Sequence, residues 1–213
     1  MKRVLLRAPL LTSSGYGVHS RQVMRWLMTH ENKISLTTQP LRWGNTSWML
    51  DEKMEGGLVG EIMNRANEPT DRYDLTFQVQ LPNEWDVSLG KINVGLTAGV
   101  ETDRCSSDWI SAINKMNCVL VPSQHVAKTF RQSGDVRIPM FVIPEAFPDE
   151  IAEVNLDVDK MQFDTNFNFL VVGQFTGNNP YNDRKNLFFT IKWLCETFAN
   201  DKDVGLVLKL NSG

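Results

Sequence analysis

The fold of this chain is decided near its start, by the run KRVLLRAPLLTSSGYG at residues 2–17. The apolar first half predicts a buried strand over Lys2–Ala8, and the serine- and glycine-rich second half predicts a turn into a helix over Gly17–Thr29. A secretory signal peptide is the competing interpretation of such a basic and apolar start. We favour the strand because Arg7 and Pro9 interrupt the apolar run and no small-residue cleavage site follows.

Strand-like and helix-like segments alternate along the rest of the chain. Further strands are predicted at 34–38, 74–81, 92–96, 118–121, 141–143, 169–172 and 204–210, and further helices at 54–66, 109–116, 124–132 and 186–198. This alternation is typical of an α/β fold with a Rossmann-like parallel sheet and helices on both faces.

The pattern divides the chain into three parts. Residues 1–148 are predicted to form the first Rossmann-like domain, the acidic and polar stretch 149–168 a linker, and residues 169–213 the start of a second, incomplete Rossmann-like unit. Such a unit would expose sheet edges and an apolar helix face. Homo-oligomer formation through the second unit is therefore one expectation.

Composition narrows the classes of partner and compartment. The chain has 213 residues and a net charge of −3, and no basic cluster marks a nucleic-acid surface, so we predict no nucleic-acid partner. No apolar run approaches the roughly 18 residues of a membrane span, although peripheral membrane association stays open. Three widely spaced cysteines, Cys105, Cys118 and Cys195, indicate neither a disulfide framework nor a zinc site, and we predict a cytoplasmic protein without a bound metal.

The turn Ser13–Gly17 is the first candidate ligand site. Gly15 and Gly17 would let backbone N–H groups approach an anion at a helix N-terminus, although tight strand-to-helix turns also use glycine for geometry alone. His19 is carried to the same end of the sheet, where it is either a surface residue or a catalytic one. A nicotinamide-cofactor site loses support because no acidic residue ends the second strand, which reads Thr37-Thr38-Gln39-Pro40.

Two further clusters follow predicted strands. Glu101 comes shortly after the strand 92–96 and could bind sugar hydroxyls, unless Thr102 or Asp103 only caps the next helix. Arg184 and Lys185 lead into the helix of the second unit, and Lys209 ends its next strand. Cations beside a helix N-terminus form a sensible diphosphate site, and a solvated helix cap is the alternative.

These segments resemble, in their order and spacing, the family 4-like (group 1) branch of the GT-B glycosyltransferases. The resemblance runs through SSGYGVHSRQV (13–23), VGLTAGVETDR (94–104), WISAINKMNCVLVPSQHVAKTFRQSG (109–134), IPMFVIPEAF (138–147), FLVVGQF (169–175), DRKNL (183–187) and LVLK (206–209). It covers most of the chain except residues 39–93. It implies an N-terminal GT-B domain that binds the acceptor and a C-terminal domain that binds the nucleotide sugar.

The resemblance also implies roles for individual residues. Gly15 and Gly17 would lie near the donor diphosphate, Lys185 would neutralise the diphosphate leaving group with help from Arg184 or Lys209, and Glu101 would fall in the acceptor-side cleft. The chain departs from the family where Gln174 follows Gly173 in place of arginine, and where Pro144-Glu145-Ala146 replaces Pro-His-Gly or Pro-Asn-Gly.

The resulting hypothesis is a hexosyltransferase-like glycosyltransferase. It would use a nucleotide-diphosphate sugar as donor substrate and no cofactor, transfer the sugar to a carbohydrate or other hydroxyl acceptor with retention, and need no metal. The resemblance implies that the residues holding the nucleoside lie beyond Gly213, so these 213 residues alone are expected to be inactive. The alternative hypothesis is a non-catalytic half-protein that acts as a binding or interaction module.

Overall fold

A computed structural model of the chain describes residues 1–67, 72–147, 151 and 161–210. The chain divides into two compact units, Met1–Pro148 and Asp149–Gly213. Most of the predicted linker, residues 149, 150 and 152–160, lies outside the described residues. No helix in the described ranges is both long and apolar enough to cross a membrane.

The first unit is built on a six-stranded parallel sheet. Its strands are β1 (Lys2–Ala8), β2 (Ile34–Pro40), β3 (Tyr73–Val79), β4 (Gly90–Leu96), β5 (Cys118–Val121) and β6 (Met140–Val142). They lie in the order β2-β1-β3-β4-β5-β6, and every neighbouring pair is parallel. The order reverses between β1 and β3, which is where open α/β sheets form a ligand crevice outside the carboxyl ends of their strands.

Helices cover both faces of this sheet. They are α1 (Gly15–Met28), α2 (Leu58–Asn64), α3 (Ser107–Ile113) and α4 (Gln124–Ser133). Alternate side chains of β5 point to opposite faces of the sheet. Leu120 packs with the apolar cluster that includes α1 and α2, whereas Val119 and Val121 pack with α3 and α4 on the other face. The predicted Rossmann-like α/β fold is therefore confirmed.

The helix predicted over residues 54–66 is wrong in its first turn. Residues Met54–Gly57 form a short 3₁₀ turn in which Glu55, Gly56 and Gly57 have φ values of 51°, 68° and 90°. Positive φ breaks the right-handed helix, and glycine adopts it without steric cost. The two glycines thus end one turn and let α2 begin afresh at Leu58.

The second unit contains one strand–helix–strand crossover. Strands β7 (Phe167–Gly173) and β8 (Val204–Leu210) form a two-stranded parallel sheet, and helix α5 (Leu187–Thr197) connects them. Strand β7 begins two residues before the predicted start at Phe169. In a parallel crossover the loop that enters the helix lies at the carboxyl end of both strands.

Candidate functional site

The serine-rich turn after β1 is held by hydrogen bonds that its own side chains make. Ser14 caps α1, because its Oγ accepts the N–H of Gly17 at 3.0 Å. The hydroxyls of Thr12 and Ser14 lie 2.8 Å apart, and Thr12 is fully buried. The turn is thus a fixed backbone feature at the carboxyl edge of the sheet.

A steric constraint requires glycine at position 17 but not at position 15. A Cβ atom at Gly17 would lie 2.1 Å from the carbonyl oxygen of Thr12, so the backbone approach there tolerates no side chain. A Cβ atom at Gly15 would meet nothing within 4 Å. The N–H of Gly17 is already donated to Ser14, so anion binding by that amide would require the cap to open. Contact of either glycine with a diphosphate stays a prediction.

A buried arginine fastens this turn to the rest of the first unit. Arg21 lies on α1 with 3% of its side chain exposed, and its Nη1 donates to the carbonyls of Leu10 at 2.9 Å and Thr12 at 3.0 Å. Its Nε donates to the Glu55 carboxylate at 2.6 Å. Burial of a guanidinium is stable only with such partners, so Arg21 fixes the Thr12 carbonyl that borders Gly17.

Tyr16 joins the turn to the loop after β4. Its hydroxyl lies 3.0 Å from Oγ1 of Thr97 and accepts the N–H of Ala98 at 3.0 Å, and its ring stacks on Trp43 with centroids 4.2 Å apart. Burial raises the pKa of the Tyr16 hydroxyl, although the hydrogen bonds to Thr97 and Ala98 act in the opposite direction. The phenol therefore stays protonated and links two loops at one edge of the sheet.

A cavity of about 440 Å³ opens beside α1 at the carboxyl ends of β4, β5 and β6. Thr97, Pro122 and Ile143, each the first residue after one of these strands, contribute to its wall. His19 lines the cavity together with Gln22 from the same helix. His19 is thus at the sheet edge that the sequence predicted.

The His19 ring carries a buried nitrogen without a hydrogen bond. Among the described residues, no donor or acceptor contacts its Nδ1 atom. Burial lowers the pKa of His19, while the negative charge of Glu145 acts in the opposite direction. The imidazole is therefore neutral at neutral pH and can accept or donate a hydrogen bond.

Glu101 lies in an exposed bend after β4. The suggestion that Thr102 or Asp103 caps the following helix is wrong, because Ser106 occupies the N-cap and accepts the N–H of Asp108 at 3.2 Å. Thr102 instead donates its hydroxyl to the carbonyl of Arg104 at 2.8 Å. The capping alternative for this segment is removed, and the role of Glu101 stays a prediction.

The predicted cations of the second unit share one edge of its sheet. Arg184 and Lys185 precede α5 and are exposed, and Lys209 is exposed on β8 one residue before its end. Because the loop into α5 lies at the carboxyl ends of β7 and β8, the crossover brings these cations to the same edge. Their side chains can act on an anion outside that edge.

Asp183 organises the loop that carries the two cations, and sequence analysis missed it. Its carboxylate accepts the N–H groups of Thr176 at 3.0 Å, Lys185 at 3.3 Å and Leu187 at 2.7 Å, and the Thr176 hydroxyl at 2.8 Å. Burial of Asp183 would raise its pKa, but these hydrogen bonds outweigh burial and hold the pKa at about 2. The N–H groups of Lys185 and Leu187 are thus already donated to Asp183, and an anion that used these two amides would compete with its carboxylate.

The residues that sequence analysis missed differ in how they could have been found. Asp183 had a local signal, since an acidic residue just before a helix commonly accepts its first N–H groups. Tyr16 and Thr97 had none, because they are 81 positions apart and meet only when β1 and β4 join one sheet.

No protein-family model matches this chain, and no curated protein matches it significantly. In the described part of the chain, no group of three or more His, Cys, Asp and Glu side chains could hold a metal ion.

Proposed function

We propose that this chain is part of a glycosyltransferase that moves a sugar from a nucleotide diphosphate to a hydroxyl acceptor. The observation that carries the proposal is the convergence of Arg184, Lys185 and Lys209 at one edge of the β7–β8 sheet. Three cations at the carboxyl ends of parallel strands suit the diphosphate group of a nucleotide sugar. The Rossmann-like fold of the first unit and its glycine turn are consistent with the same activity.

The reaction assigns a clear task to these cations. The acceptor oxygen forms a bond to the anomeric carbon, the bond from that carbon to the diphosphate oxygen breaks, and the diphosphate leaves with the electron pair. The acceptor proton passes to the departing phosphate oxygen. Negative charge grows on the diphosphate in the transition state, so fixed cations stabilise it without a metal ion. The acceptor would bind to the first unit, where His19 and Glu101 are the candidate polar groups.

Binding of nucleoside diphosphates by calorimetry tests the cation site directly. We expect UDP, GDP or ADP to bind the chain, and we expect Lys185→Ala and Lys209→Ala each to weaken binding about tenfold or more, the usual effect of losing a charge-assisted hydrogen bond. Lys192→Ala is the matched control, because Lys192 lies on α5 and its ammonium group pairs with Glu196 at 3.5 Å. Binding should persist in EDTA.

Two results would contradict the proposal. Equal affinity of the Lys185→Ala, Lys209→Ala and Lys192→Ala variants for the bound diphosphate would remove the cations from the site. Absence of binding by every nucleoside diphosphate would remove the diphosphate site from the second unit.

A non-catalytic interaction module is the second candidate. It is favoured by apolar side chains of the second unit that stay exposed, among them Leu170 at 65%, Val172 at 68% and Trp193 at 53%. Exposed apolar patches of this kind commonly mark binding surfaces. Sedimentation velocity separates the alternatives, because a monomer that binds a nucleoside diphosphate would favour the enzyme over the module.

A further inference from the structure

The cavity beside α1 has a lining that selects for a neutral and largely apolar ligand. Its lining includes Val23, Trp26, Phe77, Leu96 and Leu120, and no charged side chain of the described residues contributes to it. A phosphate or carboxylate inside would lose its hydration without gaining a counter-charge. The donor diphosphate therefore has no place here.

The polar groups of the cavity are few. His19, Gln22 and Thr97 are the polar residues among those lining it, and Thr97 is already engaged with Tyr16. A free sugar carries several hydroxyls, each of which needs a partner when it is buried. An apolar body with one or two hydroxyls matches this lining better than a carbohydrate does.

The His19 Nδ1 atom is the reason to expect a hydroxyl group on the ligand. This nitrogen is buried and finds no hydrogen-bond partner among the described residues. Such an unpaired buried group is unfavourable, and a hydrogen bond to a ligand hydroxyl would remove that cost. The cavity volume of about 440 Å³ suits a small molecule.

We propose that this cavity binds a neutral alcohol or phenol with an apolar body, and that the ligand hydroxyl hydrogen-bonds His19. The half-exposed Trp26 and Ile143, each 52% exposed, form an apolar rim that would contact the body of the ligand. Identifying this ligand as the sugar acceptor rests on the proposed function. The inference that the cavity binds such a ligand does not rest on it.

Calorimetric titration with 1-naphthol, naphthalene and glucose tests the assignment. We expect 1-naphthol to bind at one site, naphthalene to bind about tenfold more weakly, and glucose not to bind. His19→Leu should abolish the preference for naphthol over naphthalene, and His19→Gln should restore part of it. Naphthalene should bind the His19→Leu variant as well as it binds the unmodified chain, which shows that the cavity is intact.

A second pair of variants tests whether the ligand occupies this cavity. Ala146→Trp places a large side chain at an exposed lining position and should weaken naphthol binding at least tenfold. Ala199→Trp, at an exposed position on the second unit, is the matched control and should leave binding unchanged. Equal affinities for naphthol and naphthalene, tighter binding of glucose, or full binding by Ala146→Trp would each overturn the assignment. So would a dimer that Ala146→Trp dissociates, because a second copy would then fill the cavity.

The outcomes separate this inference from the proposed function. If naphthol binds as expected and no nucleoside diphosphate binds, the cavity assignment stands and the transferase proposal fails. If a nucleoside diphosphate binds through Lys185 and naphthol does not bind, the transferase proposal stands and the apolar ligand is excluded.

Discussion

Replacing Gly17 by alanine should destabilise the first unit, although Gly17 lies in the first turn of a helix, where alanine is normally favourable. The added Cβ would come 2.1 Å from the Thr12 carbonyl oxygen, about an ångström closer than real Cβ atoms approach such an atom. The carbonyl cannot simply retreat, because Arg21 donates to it at 3.0 Å. Overpacking and a weakened charge-assisted hydrogen bond together predict a loss of about 2 to 4 kcal/mol in unfolding free energy.

Gly15→Ala is a control at the same turn with the opposite expected sign. Its Cβ meets nothing within 4 Å, so alanine should stabilise the unit by about 0.4 to 1 kcal/mol through the reduced entropy of the unfolded chain. Urea unfolding followed by tryptophan fluorescence measures both variants. A Trp193→Phe background restricts the signal to the first unit, because the other tryptophans lie there. Equal urea midpoints for the two alanine variants would refute the steric argument.

Three further predictions concern buried charged and titratable groups. Arg21→Met should lower the unfolding free energy by about 3 to 5 kcal/mol, because two carbonyls and the Glu55 carboxylate lose a buried partner. The control Arg25→Met, whose side chain is 43% exposed, should change it by less than about 1 kcal/mol in the same urea titration. The folded-state pKa of Asp183 is about 2. The stability that this carboxylate contributes to the fold is therefore complete above the ordinary carboxyl pKa, and it is lost as the pH falls from about 4 towards 2. In an acid titration followed by circular dichroism, the stability of Asp183→Asn should therefore depend less on pH over this range than the stability of the unmodified chain. The folded-state pKa of His19 is lowered by burial, so the unfolded chain binds the proton first and stability should fall as the pH drops below about 6.5. His19→Gln should reduce that fall in urea midpoints, and an unchanged slope would contradict the burial of a neutral ring.

The sequence predicted the strands well because their apolar runs and their ends are local features. β1, β5 and β8 have the predicted bounds, and helices α4 and α5 differ from prediction by one residue at their ends. The failure at residues 54–57 arose where two adjacent glycines adopt positive φ, a choice that hydrophobic periodicity does not reveal.

The positions of the candidate residues in the fold were predicted in part, and their roles stay predictions. The sequence correctly predicted that Arg184 and Lys185 lie next to the start of α5, because both residues come just before that helix. It gave no indication that Asp183 already accepts the N–H groups of Lys185 and Leu187. It also placed His19 at the correct edge of the sheet, but it did not predict the cavity that His19 lines.

The sequence by itself determined an α/β chain with a glycine turn after its first strand, because periodicity and turn chemistry depend on neighbouring residues. Only the tertiary structure decided the strand order, with its reversal between β1 and β3, and the contact between Tyr16 and Thr97. It also decided that Arg21 would be buried against the carbonyls of Leu10 and Thr12, just before the glycine turn. These features depend on which distant segments pair and pack, and the free energy of that choice is spread over the whole core rather than contained in any one stretch of sequence.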